Sequence, residues 1–218
     1  MSKSLIRLRK QEYFAKFDVL CDKIAEKVLF PPVPMYKEAM LSLTEMREIR
    51  TQMMLAAYYK YGPVSANYLQ NNLMLPLQDA VTRIRKYERT HNVEYLLDAI
   101  NYLMLTYWQY TSDIITFTEE NVADYTTIVR MAVECNNKFS EQVMSLLHAY
   151  IESEDLCWVA VLAVFIANEV QFPRYDDAFY QYTQDTDCDT AGTYVNELEN
   201  LYAVNSTDAF NVFTVVQG

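Results

Sequence analysis

The stretch HNVEYLLDAINYLMLTYW, residues 91–108, carries the repeat of an α-helix. Its apolar residues recur at intervals of three and four, so on a helix they share one face. Asn92 stands just before them, where a side chain can accept a free backbone N–H of the first turn. We predict a helix over 93–110 that turns its apolar face to a core. The residues of this face are Val93, Leu96, Leu97, Ile100, Met104 and Tyr107.

The same repeat extends over most of the chain. Its 218 residues include only three glycines and six prolines, too few for the tight turns that sandwiches and barrels need. We therefore predict an all-α fold, an irregular helical bundle of six to eight helices. We expect a first helix over 5–29, which FPPVP (30–34) stops, a second from Thr44 to Gly62-Pro63, and a third over 77–90 with Pro76 in its first turn. Three more helices are expected after residue 110: one from Thr118 to Asn136, one from Ser140, and one from Ser153 to Pro173.

The run LCWVAVLAVFIA, residues 156–167, is the longest apolar stretch of the chain. A helix that crosses a bilayer needs about 20 apolar residues, so this run predicts a fully buried helix and no membrane partner. The chain opens on MSKSLIRLRK, which is not an apolar leader, and its four cysteines form no CxxC pair. We expect reduced thiols and a location in a host cytoplasm or in a virion.

A change of composition near Pro173 divides the chain. Residues 1–173 predict a helical core domain, and residues 174–218 predict an acidic, tyrosine-rich C-terminal lobe or arm. The ending AFNVFTVVQG (209–218) has the β-branched and aromatic residues of a short terminal β-strand. Such an arm can pack on its own body or on a neighbouring subunit, and both alternatives stay open.

Charge is distributed unevenly along the chain. The net charge is −11; residues 1–110 carry 15 Lys and Arg against 11 Asp and Glu, and residues 111–218 carry 3 against 18. The two halves are therefore +4 and −15, which predicts a molecule with two electrostatic faces. An acidic half repels phosphate, so the pattern favours protein partners or self-assembly over nucleic acid.

Two pairs of carboxylates are the candidate metal ligands. Glu94 and Asp98 share one helix face with Asn101, and Glu45 and Glu48 form a pair on an earlier helix. If the two faces converged in the bundle, their oxygens could hold Mg²⁺. The competing interpretation is that Glu94, Asp98 and Asn101 form a solvated helix face. Under this interpretation the chain has no catalytic residues and no cofactor.

The two acidic pairs resemble those of the all-helical nucleoside triphosphate pyrophosphohydrolases of the MazG type. That family holds Mg²⁺ with an ExxE pair and a later ExxD pair. The match covers Glu45, Glu48 and Asp98, and the second pair of this chain is spaced by four residues instead of three. The resemblance implies a Mg-dependent enzyme with Glu45, Glu48, Glu94 and Asp98 as metal ligands.

A second resemblance covers about residues 46–104. The run MREIRTQMMLAAYYKYGPV, followed by RIRKYERTHNVEYLLDAINYLML, is similar to small helical proteins of tailed phages and prophages. In those proteins a YGP-type turn precedes a Tyr-x-x-Thr-x-Asn-x-Glu-Tyr-Leu-x-Asp helix. This resemblance implies a viral origin, and it brings no catalytic role with it.

The chain contains 18 tyrosines, and tyrosine is enriched where proteins meet. With the uneven charge and the apolar ending, they favour a non-enzymatic interaction protein that is a virion structural or assembly component or binds a host protein. The alternatives are the Mg-dependent pyrophosphohydrolase and an acidic DNA-mimic inhibitor, whose carboxylates would be spaced like phosphates. The candidate interaction residues are Tyr175, Tyr180, Tyr182, Phe210, Val212 and Phe213.

Overall fold

The computed structural model describes residues 3–33, 37–61, 76–110 and 119–175. In these ranges the chain forms seven α-helices, a 3₁₀ turn over Glu119–Asn121 and no strand. The predicted all-α fold is confirmed for this part of the chain, whereas the predicted terminal strand at 209–218 lies outside it. The helices are α1 Lys3–Lys27, α2 Leu43–Tyr61, α3 Pro76–Thr90, α4 Glu94–Tyr110, α5 Val122–Cys135, α6 Phe139–Ser153 and α7 Cys157–Gln171.

Helices α4 and α7 form the centre of the bundle. Helix α7 packs against α1, α4 and α6, while α4 also packs against α1, α2 and α3, and α5 lies at the edge against α6. Every residue from Cys157 to Ile166 is buried, because no side chain in 156–168 is charged and a helix without a polar face must be covered on all sides. The predicted buried helix is therefore confirmed. None of the helices in the four described ranges has the length and apolar composition to cross a bilayer.

The starts of α4 and α2 are decided by nearby residues. Asn92 caps α4, since its Oδ1 accepts the backbone N–H of Glu94 at 3.0 Å, and this prediction is confirmed. The predicted start of α2 at Thr44 lies one residue too late, because the helix begins at Leu43. The cap is Ser42, whose Oγ accepts the Glu45 N–H at 3.2 Å while the Glu45 carboxylate accepts the Ser42 N–H at 2.8 Å. Such a reciprocal pair is a capping box, which satisfies two free N–H groups at once.

The start of α6 depends on a residue far away in sequence. The prediction of Ser140 as its first residue is wrong, because the helix begins at Phe139. The N–H groups of Phe139 and Ser140 donate to the Glu88 carboxylate of α3 at 3.1 and 2.8 Å. A carboxylate at a helix N-terminus satisfies free N–H groups and complements the positive end of the helix dipole. Helix α3 therefore caps α6 across a separation of 51 residues.

The start of α7 also lies later than predicted. Ser153 ends α6 instead of beginning α7, and its hydroxyl donates to the Ala149 carbonyl at 2.7 Å. Asp155 takes the capping role, because its Oδ1 accepts the Cys157 N–H at 2.9 Å. The other oxygen of Asp155 accepts the Tyr125 hydroxyl of α5. The turn between α6 and α7 is therefore tied to the beginning of α5.

Candidate interaction surface

The polar face of α4 is buried, so the interpretation of this face as solvated is wrong. Glu94 and Asn101 are each 4% exposed, and Asp98 is half-buried. The reason is that α1, α2, α3 and α7 all pack against α4 and cover most of its surface. The polar side chains of α4 have their partners inside the protein.

Asp98 forms an ion pair with Arg83 of α3, whose Nε lies 2.7 Å from Oδ2. The guanidinium also lies 5.8 Å from the centre of the Tyr95 ring and 6.0 Å from that of Tyr102, within range of cation–π attraction. Burial raises the pKa of the Asp98 carboxyl, and the charge of Arg83 opposes that shift. Burial also raises the pKa of Tyr102 to about 12. This ion pair joins α3 to α4, and it gives the Asp98 carboxylate a positively charged partner within the chain.

Arg50 of α2 is the partner of Asn101. Arg50 Nε donates to Asn101 Oδ1 at 3.0 Å, and Asn101 Nδ2 donates to the Arg50 carbonyl at 3.3 Å. The guanidinium lies 3.7 Å from Asp18 of α1; burial lowers the pKa of Arg50, and Asp18 opposes that shift. Sequence reasoning missed Arg50, although its position on the apolar face that carries Met46 and Met53 was a usable signal.

The other two candidate metal ligands lie on the exposed side of α2. The Glu45 carboxylate accepts the N–H and the hydroxyl of Ser42, and these two hydrogen bonds lower its pKa. Glu48 is exposed on an open groove along α2, next to Arg47 and Thr51. Glu45 therefore has a structural role at the helix start, and Glu48 faces solvent.

The structure gives Glu45 and Asp98 partners other than a metal. Asp98 is paired with Arg83, and Glu45 is held in the capping box. Across the described ranges, no three His, Cys, Asp or Glu side chains are placed so that they could hold a metal ion. A site made of Glu45, Glu48, Glu94 and Asp98 stays a prediction, and the contacts of these residues do not support it.

Tyr175 is the one candidate interaction residue that falls within the described ranges. Its ring stacks on His91 with centroids 3.4 Å apart, and it meets the Tyr87 ring edge-on at 5.8 Å. The phenol is half-buried, and burial raises its pKa. One face of this tyrosine is therefore used to fix the chain to the end of α3. The other five candidates, Tyr180, Tyr182, Phe210, Val212 and Phe213, lie outside the described residues.

A polar cluster holds the end of α7; it joins the buried residues Tyr87, Gln142 and Glu169 to the exposed Arg174. The Tyr87 hydroxyl donates to Glu169 Oε1 at 2.6 Å, and Arg174 donates to the same oxygen through its N–H and its Nε, both at 3.0 Å. Arg174 Nη2 reaches Gln142 Oε1 at 3.0 Å. Burial and the Glu169 carboxylate raise the pKa of Tyr87. Sequence reasoning missed this cluster, although Glu169 is the first charge after the apolar run and Arg174 is the only cation in 139–218.

An acidic surface with exposed apolar side chains lies where α5 begins and α6 ends. These two helix ends meet because Tyr125 of α5 donates to Asp155, just after α6. The end of α1 joins them, since the Leu29 N–H donates to Thr126 Oγ1 at 3.2 Å. Leu29 is 73% exposed and Ile151 of α6 is 57% exposed. We call this surface the acidic pole; it consists of Leu29, Glu120, Asp124, Ile151, Glu152 and Glu154, all of which are exposed.

A basic surface lies at the opposite end of α6. Arg85 and Arg89 are exposed and Lys86 is half-buried in the last two turns of α3. Glu88, the acid of the same turns, is directed to the first N–H groups of α6, while Lys86 Nζ lies 5.3 Å from the centre of the Tyr95 ring of α4. We call Arg85, Lys86 and Arg89 the basic pole. A helix of 15 residues such as α6 is about 22 Å long, and this length separates the two poles.

Comparison of the chain with protein-family models, with curated proteins and with solved structures found no match. The two sequence resemblances therefore stay predictions. The functional assignment depends on the geometry and charge of the two poles.

Proposed function

We propose that this chain is a non-enzymatic interaction protein, encoded by a phage or another virus, that acts as a virion structural or assembly component or binds a host protein. The observation that carries the proposal is the acidic pole. It brings two exposed apolar side chains, Leu29 and Ile151, to the end of the bundle that also carries four exposed carboxylates. Exposed apolar side chains near charged ones are typical of docking surfaces.

The titratable side chains inside the bundle have contacts that indicate a structural role. Asp98 is neutralised by Arg83, and Glu169 accepts three hydrogen bonds from Tyr87 and Arg174. Burial raises the pKa of the Cys157 thiol to about 12, so this thiol stays protonated and is a poor nucleophile at neutral pH. Asp98 and Glu169 therefore join their helices to α3, and the Cys157 thiol is buried.

The proposal is tested by the molar mass of the protein in solution. Size-exclusion chromatography with light scattering compares the full chain with a chain that ends at residue 204, which keeps every described residue and removes the predicted arm. We expect the full chain to exceed the 25.5 kDa of one copy and the shortened chain to return to it. A mass of one copy for both chains, at every concentration, contradicts the assembly role.

The acidic pole favours a DNA-mimic inhibitor as a second candidate, because its carboxylates could occupy a surface that binds phosphates. Competition with duplex DNA for a basic DNA-binding protein tests this candidate. The exposed Leu29 and Ile151 distinguish the two proposals, since a row of phosphates offers no apolar group. If Leu29→Ser and Ile151→Ser leave the competition unchanged while Glu152→Gln weakens it, the mimic is favoured over the assembly component.

A further inference from the structure

Arg174 and Tyr175, which we call the strap, lie across the end of α7. Arg174 donates to Glu169 Oε1 through its N–H and its Nε, both at 3.0 Å, and its Nη2 donates to Gln142 Oε1 at 3.0 Å. The guanidinium carbon also lies 4.9 Å from the centre of the Phe139 ring, within range of cation–π attraction. One arginine therefore meets a carboxylate, an amide oxygen and an aromatic ring.

Tyr175 makes the neighbouring contacts. Its ring stacks on His91 with centroids 3.4 Å apart and planes 11° apart, and it meets the Tyr87 ring edge-on at 5.8 Å. Just before the strap, the Pro173 carbonyl accepts the Lys37 Nζ at 2.7 Å, and Pro173 is buried. The chain is therefore anchored up to the residue at which the strap begins.

The groups that hold the strap form a seat that is built without it. The seat belongs to α3, the turn after it, α6 and α7, and it consists of Tyr87, His91, Phe139, Gln142 and Glu169. Contacts other than those of the strap join these elements, since Tyr87 donates to Glu169 at 2.6 Å and the Phe139 ring stacks on Phe165 at 5.6 Å. The seat should therefore keep its shape when the strap leaves.

The strap is more exposed than the seat. The seat residues that lie on helices are at most 8% exposed, whereas Arg174 is exposed and Tyr175 is half-buried. Segments at the edge of a fold with few buried apolar atoms open at a lower free energy than the whole fold. The strap can therefore release while the bundle stays folded, and its release uncovers a carboxylate, an amide oxygen and aromatic rings.

We infer that the strap is an autoinhibitory contact: it occupies a binding seat for a partner chain that presents an arginine followed by an aromatic residue. The strap itself shows which ligand fits. Glu169 and Gln142 offer two acceptor oxygens, which suit the planar donor group of arginine, while His91 and Tyr87 suit a flat ring. The seat is a second surface besides the acidic pole, so either can fail without the other.

The strap competes with a partner because it belongs to the same chain as the seat. A short tether gives an effective concentration in roughly the millimolar range, so the seat is filled in the free protein. A partner chain takes the seat when it adds contacts that the strap lacks. The inference therefore predicts that removal of the strap side chains strengthens binding, although it removes contacts from the protein.

A fluorescent peptide with the sequence of residues 171–175 tests the seat in the full-length protein. Arg174→Ala with Tyr175→Ala, which we call the emptied chain, changes no seat residue, and circular dichroism will check its fold. Fluorescence anisotropy should show that the peptide binds the emptied chain at least about tenfold more tightly than the wild type. The same peptide with alanine in place of its arginine should bind neither chain.

Two further variants serve as controls. Arg130→Ala with Tyr59→Ala removes the same residue types at exposed positions of α5 and α2, keeps the strap, and should bind the peptide like the wild type. His91→Asn in the emptied chain removes the stacking ring and should weaken binding about threefold or more. Asparagine suits the positive φ of 60° at this position.

If the emptied chain does not fold, Tyr175→Ala alone takes its place, because it opens the aromatic half of the seat. Two results overturn the inference: no peptide binding to the emptied chain at about 1 mM, or binding to the wild type that is as tight as to the emptied chain. Self-association of the wild type that is lost in the emptied chain supports the inference, with the strap of a second copy as the partner chain. None of these variants alters the acidic pole, so failure of the seat leaves the proposed function intact.

Discussion

Replacement of Glu169 by leucine should destabilise the protein by about 1–4 kcal/mol. Glu169 Oε1 accepts the Tyr87 hydroxyl at 2.6 Å and two N–H groups of Arg174 at 3.0 Å. Tyr87 is 0% exposed, so its hydroxyl would lose its acceptor without gaining water, which costs about 1–3 kcal/mol. The Arg174 side chain is 30% exposed and can hydrate, so it adds at most about 1 kcal/mol.

Urea unfolding followed by circular dichroism measures this loss, and a double-mutant cycle with Tyr87→Phe identifies its cause. Tyr87→Phe alone should cost about 1 kcal/mol. The double variant has no Tyr87 hydroxyl that could be left without an acceptor. Its loss of stability should therefore be smaller than the sum of the two single losses by about 1 kcal/mol or more. A cost under about 0.5 kcal/mol for Glu169→Leu, or additive single costs, would refute the assignment of this cluster as a stabilising network.

Three further outcomes follow from the described contacts. Asp98→Asn should change the free energy of unfolding by less than about 1 kcal/mol at pH 7, while Arg83→Ala should cost about 2–3 kcal/mol. Burial raises the Asp98 pKa above 3.8, so the folded state binds the proton more tightly than the unfolded state does. As the pH falls towards 4, thermal unfolding should therefore show the wild type becoming more stable relative to Asp98→Asn. Glu88→Gln should cost about 0.5–1 kcal/mol in urea unfolding through the lost charge at the start of α6, whereas Glu141→Gln, an exposed control in the same turn, should cost less. Millimolar Mg²⁺ should leave the melting temperature unchanged; a rise that Glu45→Gln abolishes would favour the pyrophosphohydrolase.

The helices could be predicted from the sequence because their signals are local. The apolar repeat after Asn92 sets the position of α4, and the cap itself is only two residues from the N–H that it accepts. The uncharged run at 156–167 predicts burial without knowledge of its neighbours. These features depend on residues within one or two turns, which a single sequence displays directly.

The candidate site could be predicted only in part, since its contacts join distant residues. The uneven charge predicts two electrostatic faces, but their positions at the two ends of α6 depend on the Glu88 cap and on the Tyr125–Asp155 hydrogen bond. Whether Asp98 faces water, a metal or Arg83 depends on which helix packs against α4. Spacing along one helix cannot decide that question, because it gives the face and not the neighbour.

The polar pairs inside the bundle constrain how this protein can diverge. Loss of Arg83 alone strands Asp98, and loss of Glu169 alone strands the Tyr87 hydroxyl, so such changes are tolerated best when both members change together. Exposed positions of α3 and α6 outside the two poles carry no such coupling and can vary more freely. Distant relatives should therefore be recognisable by joint retention or joint replacement at positions 83 and 98, 50 and 101, and 87 and 169, even where overall identity is low.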